Sequence, residues 1–386
     1  MYFLTLPILS ASFVGCFLLG GYWLVVPGIL TWLLAVPVDE AVGDDWSLRL
    51  ERRPAFLKGL LYAQLPSLTI ATLFFAYYLS DWTFLGDVVN QARERTNDGG
   101  IAVLVGAMAM FYAISGINVA HELVHRTSKR DVVIGRWLLS FSLDTGFALE
   151  HVYGHHINIG TAKDPATAPR GMGFWRFFVR ILWQANRNAW RIERRFLERR
   201  GQPVWSWHNR FLTGQAMSLV WVALFAVAGG WVGVGLFVFT ALWSKAYLEL
   251  TNYIEHYGLV RAEGTRVEPR HSWNSSRRVT NWLLFNLPRH ADHHVKPGKN
   301  YWELEARTDA PQLPHGYFLM AVIALFPPIY RWKMRPFIEE WDRTYASAAE
   351  RALVSSAISG GAKRETPSVS ATSSIPDMRA RTRVGQ

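Results

Sequence analysis

Six long apolar stretches, at 2–20, 22–38, 56–79, 100–120, 211–229 and 231–252, alternate with polar, arginine-rich segments along this chain. Each approaches the roughly 20 residues a helix needs to cross the hydrocarbon of a bilayer. The pattern therefore predicts an all-α integral membrane protein with six transmembrane helices. Gly20 and Gly21 separate the first two, Pro27 interrupts the second, and Gly229-Gly230 leaves room only for a tight hairpin between the last two. A seventh run, 316–330, is shorter and carries Pro327-Pro328, which predicts an interfacial or re-entrant helix. Residues 175–200 alternate aromatic and arginine, the pattern of an amphipathic helix lying on a membrane surface. A solvated basic face with some core contacts would give the same pattern. Residues 355–386 are rich in Ser, Thr, Gly and Arg without hydrophobic periodicity. A membrane-embedded catalytic domain is expected over 1–345, with 346–386 as a disordered tail or linker.

Charge orients this arrangement. The net charge is +11, and in a membrane protein such an excess marks cytoplasmic loops, with nucleic acid the weaker explanation. The segment 39–55 carries Arg49, Arg52 and Arg53, the long segment 121–210 is crowded with arginine, and the region after 256 is basic again. The segment 80–99 is acidic on balance, with Asp81, Asp87, Glu94 and Asp98. Six spans with both termini in the cytoplasm satisfy this alternation. The N-terminus lacks a basic n-region, so no cleavable signal peptide is expected. Cys16 is the single cysteine, which excludes a disulfide framework, a thiolate zinc site or an iron–thiolate centre within the chain.

Nine of the 12 histidines fall into four clusters beside the apolar runs: His121 and His125; His151, His155 and His156; His256; and His290, His293 and His294. Chance gives about 0.4 His-x-x-x-His pairs at this composition, and here there are three. On a helix, positions i and i+4 share one face, so two imidazoles can grip one metal. The histidine beside each extended pair can turn toward a second metal. Nine nitrogens are too many for one ion, and two metals with four or five ligands each is the natural division. Two metals in an all-nitrogen site beside a membrane suggest iron and dioxygen chemistry, although imidazole also suits Zn, Cu and Ni. Glu122, Glu150, Glu255 and Asp292 adjoin the clusters. They are candidates to orient His N–H groups or to bind metal directly. His271 lies in a polar loop near the clusters and joins that outer group, whereas His208 and His315 read as ordinary surface or core histidines.

The cluster strings resemble those of the integral-membrane non-haem di-iron alkane monooxygenases, the alkane ω-hydroxylases. The matching strings are His-Glu-Leu-Val-His-Arg (121–126), Glu-His-Val-Tyr-Gly-His-His (150–156), Asn-Tyr-Ile-Glu-His-Tyr-Gly-Leu (252–259) and Leu-Pro-Arg-His-Ala-Asp-His-His (287–294). Membrane fatty-acid desaturases share the general histidine pattern but not the third string. Asp164-Pro-Ala-Thr167 and His271-Ser-Trp-Asn274 match as well, and the resemblance runs from about 22 to 345. Pro288 and Ala291 stand where the family has Gln and Ser, and neither position offers a metal ligand.

The resemblance implies six transmembrane helices and two Fe ions held by His121, His125, His151, His155, His156, His256, His290, His293 and His294. It implies O2 as co-substrate and electrons from NADH through a rubredoxin reductase and rubredoxin. The expected reaction is hydroxylation of medium-chain n-alkanes to primary alcohols. The expected place is a bacterial-type inner membrane, with the site on the cytoplasmic side. An alkane has no polar handle, so only an apolar channel between helices can orient it. That lining is expected from the first four spans, with Trp23 and Trp32 as candidates for setting its length. Both tryptophans equally suit packing or interface anchoring. A rubredoxin would dock on the arginine-rich face that includes 187–200. The rivals are a xylene-type aryl-methyl monooxygenase, a fatty acyl desaturase or hydroxylase, and, in another class, a transporter with histidines strung along its spans.

Overall fold

A computed structural model describes residues 5–28, 35–47 and 53–359 of the chain. The described residues are helical and form no strand, only the isolated bridges Asp44–Arg277 and Asn274–Gln312. The helices used below are α1 (Thr5–Leu19), α2 (Ala35–Val42), α3 (Pro54–Tyr78), α4 (Asp98–Val124), α5 (Lys129–Ser140), α6 (147–158), α7 (Phe174–Arg199), α8 (Arg210–His256), α9 (His290–Val295), α10 (Tyr317–Ala324), α11 (Pro327–Thr344) and α12 (Ala348–Ser359).

Among the described residues α3, α4 and α8 are long and apolar enough to cross a membrane. The third is two helices in one. At Gly229 and Gly230 the backbone leaves helical geometry, and Gly230 takes φ 58°, a conformation open to glycine at little cost. The chain folds back there. Phe225 and Phe237 stack at 4.6 Å between ring centroids, whereas twelve residues of straight helix would hold them about 18 Å apart. The expected hairpin is thus present, with arms 210–228 and 231–256.

These elements share a common polarity. The C-termini of α4 and α8 meet at one end of the molecule, with His121 and His256 in their last turns. The other end gathers Gly229, against Leu79 at the end of α3, and Gly20 after α1. Gly20 has φ 67°, and a Cβ there would lie 2.1 Å from the Ala92 carbonyl oxygen, so no other residue fits this crossing point. From it the chain returns to the histidine end. Asp39, in α2, accepts hydrogen bonds there from the Thr280 backbone N–H (2.9 Å) and hydroxyl.

Three further elements follow the sequence pattern. The run 316–330 divides into α10, an eight-residue helix, and α11, which begins at Pro327. Proline favours the first turn of a helix and ends the one before it. Residues 174–199 form one amphipathic helix, burying Phe174, Phe177, Ile181, Ala189 and Leu197 and exposing Trp175, Val179 and Trp183. Where a tail was expected from 346, the structure instead has α12, whose Glu350 is buried. An ion-pairing residue, not an apolar stripe, docks this helix, so hydrophobic periodicity gave no sign of it. Residues 360–386 lie outside the described residues.

Candidate metal centre

All nine clustered histidines converge. Their ring nitrogens form two groups, His121, His125, His151, His156 and His293 in one, and His155, His256, His290 and His294 in the other. Within each group one nitrogen per residue lies within 4.8 Å of all the others. The helices set this division. His121 and His125 share a face of α4 and its C-terminal cap, as the i, i+4 spacing predicts. In α9, His290 and His294 join one group while His293 turns to the other.

The second cluster departs from the expected pairing. His151 and His155 do not share a group; His151 pairs with His156, and their Nε2 atoms are 3.0 Å apart. The reason is local: His151–His155 is a π-helical turn. Its wider i to i+5 repeat aligns residues five apart and swings His155 toward the other group.

The donor chemistry fits metal ions. Nε2 of His156 lies 3.0 Å from that of His151 and 3.2 Å from that of His293. Nε2 of His290 lies 3.2 Å from that of His256 and 2.8 Å from that of His294. One ring nitrogen cannot donate to or accept from both neighbours at once. Nitrogens each about 2.1 Å from a shared cation, however, sit about 3.0 Å apart at right angles and about 3.4 Å apart at tetrahedral ones, close to these separations. The buried Nε2 atoms of His121 and His125 have no hydrogen-bond partner. Burial, then the neighbouring imidazoles, hold His125, His151, His156, His290, His293 and His294 well below the ordinary histidine value. These rings are neutral, with lone pairs available for ligation.

Surrounding groups fix the rings. His155 Nδ1 lies 2.9 Å from Asp164, which also accepts from the Thr167 hydroxyl (2.6 Å) and the Ala166 N–H (3.0 Å). Burial opposes charge on His155, but Asp164 outweighs it and raises the imidazole, favouring a positive charge at this point. His256 Nδ1 faces the carbonyl oxygen of His271 at 3.3 Å. In both cases the outer nitrogen is tied and Nε2 faces the group.

The candidate carboxylates separate into three roles. Glu255 lies 3.1 Å from His290 Nε2. Glu150 keeps a buried oxygen without a hydrogen-bond partner, and burial, then the nearby charge of Asp164, pushes it up to about 8. Glu122 is taken up by Arg126 and the Tyr301 N–H, and Asp292 by Lys299 (2.8 Å) and the Glu305 N–H (3.0 Å). These last two hold the 299–305 loop and do not face the ligand atoms. The His271 side chain also points away, onto Glu350 at 2.8 Å, and only its carbonyl serves the site. His315 pairs with Glu40 at 3.0 Å.

An apolar cavity opens from the histidines. His121, His151, His290 and Glu255 stand in its wall with Met110, Ala113, Ile114, Ile117 and Asn118 of α4, Leu248 and Thr251 of α8, Leu284, Leu287, and Phe318 and Ala321 of α10. Of the four spans expected to line it, α4 does, and α1 and α3 contribute none; the second arm of α8, which was not expected, supplies the facing wall. The side chains of that facing wall are mostly aliphatic, with Tyr247 and Asn252 among them. Trp23 is 57% exposed and lies outside the wall, because the 21–25 turn packs at the far end beside Arg95. Trp32 lies outside the described residues.

Sequence reasoning missed one cluster. Lys245 bonds Asp144 at 2.5 Å and Glu249 at 3.0 Å, all buried, next to a small polar cavity that reaches His151 and His155. The signal was available as a Lys-x-x-x-Glu pair inside the apolar run 231–252. Ionisable residues in such a run mark function or mutual pairing.

Comparison with known proteins agrees with this geometry. A family model described as fatty acid desaturase matches residues 99–324. The chain is 35% identical over 277 residues to alkane 1-monooxygenase 2 of Alcanivorax borkumensis, covering 70% of each protein. It is 34% identical over 323 residues to the alkane 1-monooxygenase of Ectopseudomonas oleovorans, covering 81% of this chain and 78% of the relative. It is also 28% identical over 354 residues to the hydroxylase component of a xylene/toluene monooxygenase of Pseudomonas putida, covering 91% and 92%.

Proposed function

The chain belongs to the alkane 1-monooxygenase family, and from that premise we propose that it hydroxylates the terminal methyl of medium-chain n-alkanes. The reaction joins R–CH3, O2, two electrons and two protons to give R–CH2OH and water. The observation that carries this reading is the cavity: an apolar slot whose wall includes histidines of both groups. Its wall is mostly apolar, with polar side chains such as Asn118, Thr251 and Glu255 set among aliphatic ones. The nine histidines would hold two iron ions, which would supply, when bound, the redox chemistry for reducing O2 and inserting one of its oxygens. Asp164 and the His271 carbonyl keep two of the imidazoles turned inward. The aliphatic wall excludes water from the reacting methyl. Met110 and Ala113, up the helix from His121, set how far a chain extends from the site.

The alternation of chain ends between the histidine end and the Gly20/Gly229 end supports six crossings with the centre on the cytoplasmic side of an inner membrane. Electrons come from an NADH-dependent reductase through rubredoxin, since Cys16 alone cannot hold an iron–thiolate centre. The half-buried edges of His125 and His156 give the five-histidine group the nearer approach to solvent. The arginines of α7 are the docking face for an acidic donor. A transporter would string its ligands along the spans, and two compact groups at one end do not support that. The likeness to a xylene/toluene monooxygenase hydroxylase keeps an aryl-methyl substrate as a second reading on the same scaffold.

The test is iron content per chain together with product identification from octane, xylene and an acyl substrate, with NADH, rubredoxin and its reductase. About two irons, one per histidine group, and octan-1-ol as the preferred product are expected. Fewer than one iron with no NADH-dependent product would overturn the reading, and preferred turnover of xylene would move it to the second.

A further inference from the structure

His256 closes α8, and its orientation depends on a carbonyl from a separate loop. Its Nδ1 faces the His271 carbonyl oxygen at 3.3 Å, and its Nε2 lies 3.2 Å from that of His290. The carbonyl belongs to the short turn Pro269–His271. The turn's own backbone bonds, His271 N–H to the Glu268 carbonyl at 3.0 Å and Ser272 N–H to the Pro269 carbonyl at 3.4 Å, hold its shape but do not fix where it sits against His256. The His271 ring supplies the tie. Its Nδ1 accepts the Glu268 N–H at 2.9 Å, so the ring proton sits on Nε2, which donates to Glu350 Oε1 at 2.8 Å. Both ring nitrogens are committed, and His271 is 0% exposed. Arg270 adds its Nε to the other Glu350 oxygen at 3.0 Å, and Trp341 donates to the Arg270 carbonyl at 2.7 Å.

Glu350 is itself fixed. It stands three residues after Ser347 at the start of α12, accepts the Ser347 N–H at 2.7 Å, and gives its own N–H to the Ser347 hydroxyl at 3.3 Å. This reciprocal pair is a capping box, which anchors the carboxylate to its own helix before it meets the loop. The carboxylate is buried, yet the Ser347 N–H, His271 and Arg270 outweigh that and hold it near about 2, so it stays charged against the loop. The contacts form one unbroken line: Ser347 to Glu350, Glu350 to the His271 ring, the His271 carbonyl to His256.

We propose that Glu350 is a positioning residue for His256, through which α12, beyond the matched family region, sets the orientation of one imidazole in the four-histidine group. The inference rests on reading His256 as a metal ligand. A helix that merely packed against the loop would present apolar contacts. Here a single buried carboxylate takes both basic side chains of the turn that holds the carbonyl.

The experiment is chelator competition on the full-length, iron-loaded protein in detergent, following release of the two ions separately. Loss of a partner that orients a ligating histidine typically weakens metal binding about 10–100-fold. Glu350→Ala is expected to weaken one ion by that factor and leave the other unchanged, and His256→Ala to remove the same ion. Glu350→Gln retains an acceptor for His271 Nε2–H and should stay within about threefold of wild type. Glu350→Asp keeps the charge but withdraws it by one methylene. It should reproduce the selective weakening if Glu350→Ala does not fold. Arg351→Ala, which loses a contact from α12 to the Ala346 carbonyl just before it, should change neither ion. Equal weakening of both ions, an unaffected Glu350→Ala, a Glu350→Gln as weak as Glu350→Ala, or an Arg351→Ala that mimics it would each overturn the proposal. A wild-type chain without two separable ions would instead overturn the metal reading, and the proposal with it.

Discussion

Chain-length selection is where the cavity makes its sharpest demand. Met110 and His121 both stand in the wall, eleven residues apart on α4. At 1.5 Å per residue that is at most about 16 Å of helix, because the π-helical stretch Tyr112–Ile117 between them advances less per residue. An extended alkyl chain with C–C bonds near 1.52 Å and angles near 111° advances about 1.25 Å per carbon, so this depth holds at most about 13 carbons. Ala113 lies eight residues from His121, at most about 12 Å up the wall, level with about the tenth carbon or slightly nearer. A leucine at that position fills the slot above it. Ala113→Leu therefore denies burial to about three carbons of a long substrate, worth about 0.8 kcal/mol each. The sum, about 2.5 kcal/mol, corresponds to a loss of about 60-fold in kcat/KM for dodecane. Octane ends below the new side chain and should keep its rate within about threefold. Met110→Ala removes the far stop and should improve tetradecane relative to dodecane. The assay is alcohol formation from octane, dodecane and tetradecane in competition, with product ratios read by gas chromatography. If Ala113→Leu lowered octane and dodecane equally, or left their ratio unchanged, the slot would not be the seat of the substrate.

Four other outcomes follow from the same coordinates. Asp164→Asn leaves His155 without its charged partner and should weaken metal retention about 10–100-fold in chelator competition, with little change in helix content by circular dichroism. Six histidines are held below their ordinary value near 6.5, so the unfolded chain binds more protons than the folded one as pH falls below that value. The metal-free protein should therefore lose stability from pH 6.5 downward, by up to about 1.4 kcal/mol per pH unit for each histidine, and a flat melting temperature between pH 7.5 and 5.5 would refute this. Gly230→Ala forces a Cβ into left-handed geometry and should cost about 1–2 kcal/mol in detergent unfolding, whereas Gly20→Ala also meets the Ala92 carbonyl and should cost more. Turnover at limiting rubredoxin should fall with ionic strength if α7 docks an acidic donor, and independence from salt would remove that face from consideration.

The sequence was most legible where a physical period left a mark. Apolar length marked α3, α4 and the two arms of α8, and Gly229-Gly230 marked the turn between those arms. Nine histidines at close spacing were enough to foretell their convergence, because so many imidazoles beside apolar helices have few other uses. Which ring joins which group was not legible. It depends on the π turn at His151–His155, and a helix that widens by one residue has no signature in residue type. The carboxylates show the same limit. Glu122, Glu150, Glu255 and Asp292 all adjoin histidines in sequence, but only Glu255 meets a ligand nitrogen; Glu122 and Asp292 are taken up by the 299–305 loop, and Glu150 keeps a buried oxygen without a hydrogen-bond partner. The slot was expected from the first four spans, and of these α4 lines it, but its facing wall comes from the second arm of α8. A void is a property of two facing helices that neither reveals alone.

The division of the nine histidines has a mechanical consequence. His155 and His156 are chain neighbours in different groups, and so are His293 and His294. Adjacent residues share one peptide plane, so each pair fixes the spacing between the groups through covalent geometry. The His156 and His294 rings also pack at 4.3 Å between centroids, from opposite groups and opposite helices. The two groups are thus joined three times without a carboxylate spanning them. A centre built this way holds its separation when a ligand enters between the groups, because moving one group drags backbone that carries the other. Side chains that span two sites by themselves can rotate away, and these cannot without unwinding α6 or α9. The π turn is what permits the arrangement in α6, and shortening it by one residue tests whether the pairing it creates is enough. Deleting Val152 would return the turn to ordinary helical spacing and set His151 four residues from His156, where residues again share a face. The two rings would still meet in the five-histidine group. Such a variant should retain both ions, and loss of the five-histidine ion alone would show that the wider π geometry itself, beyond the pairing of His151 with His156, is what that group requires.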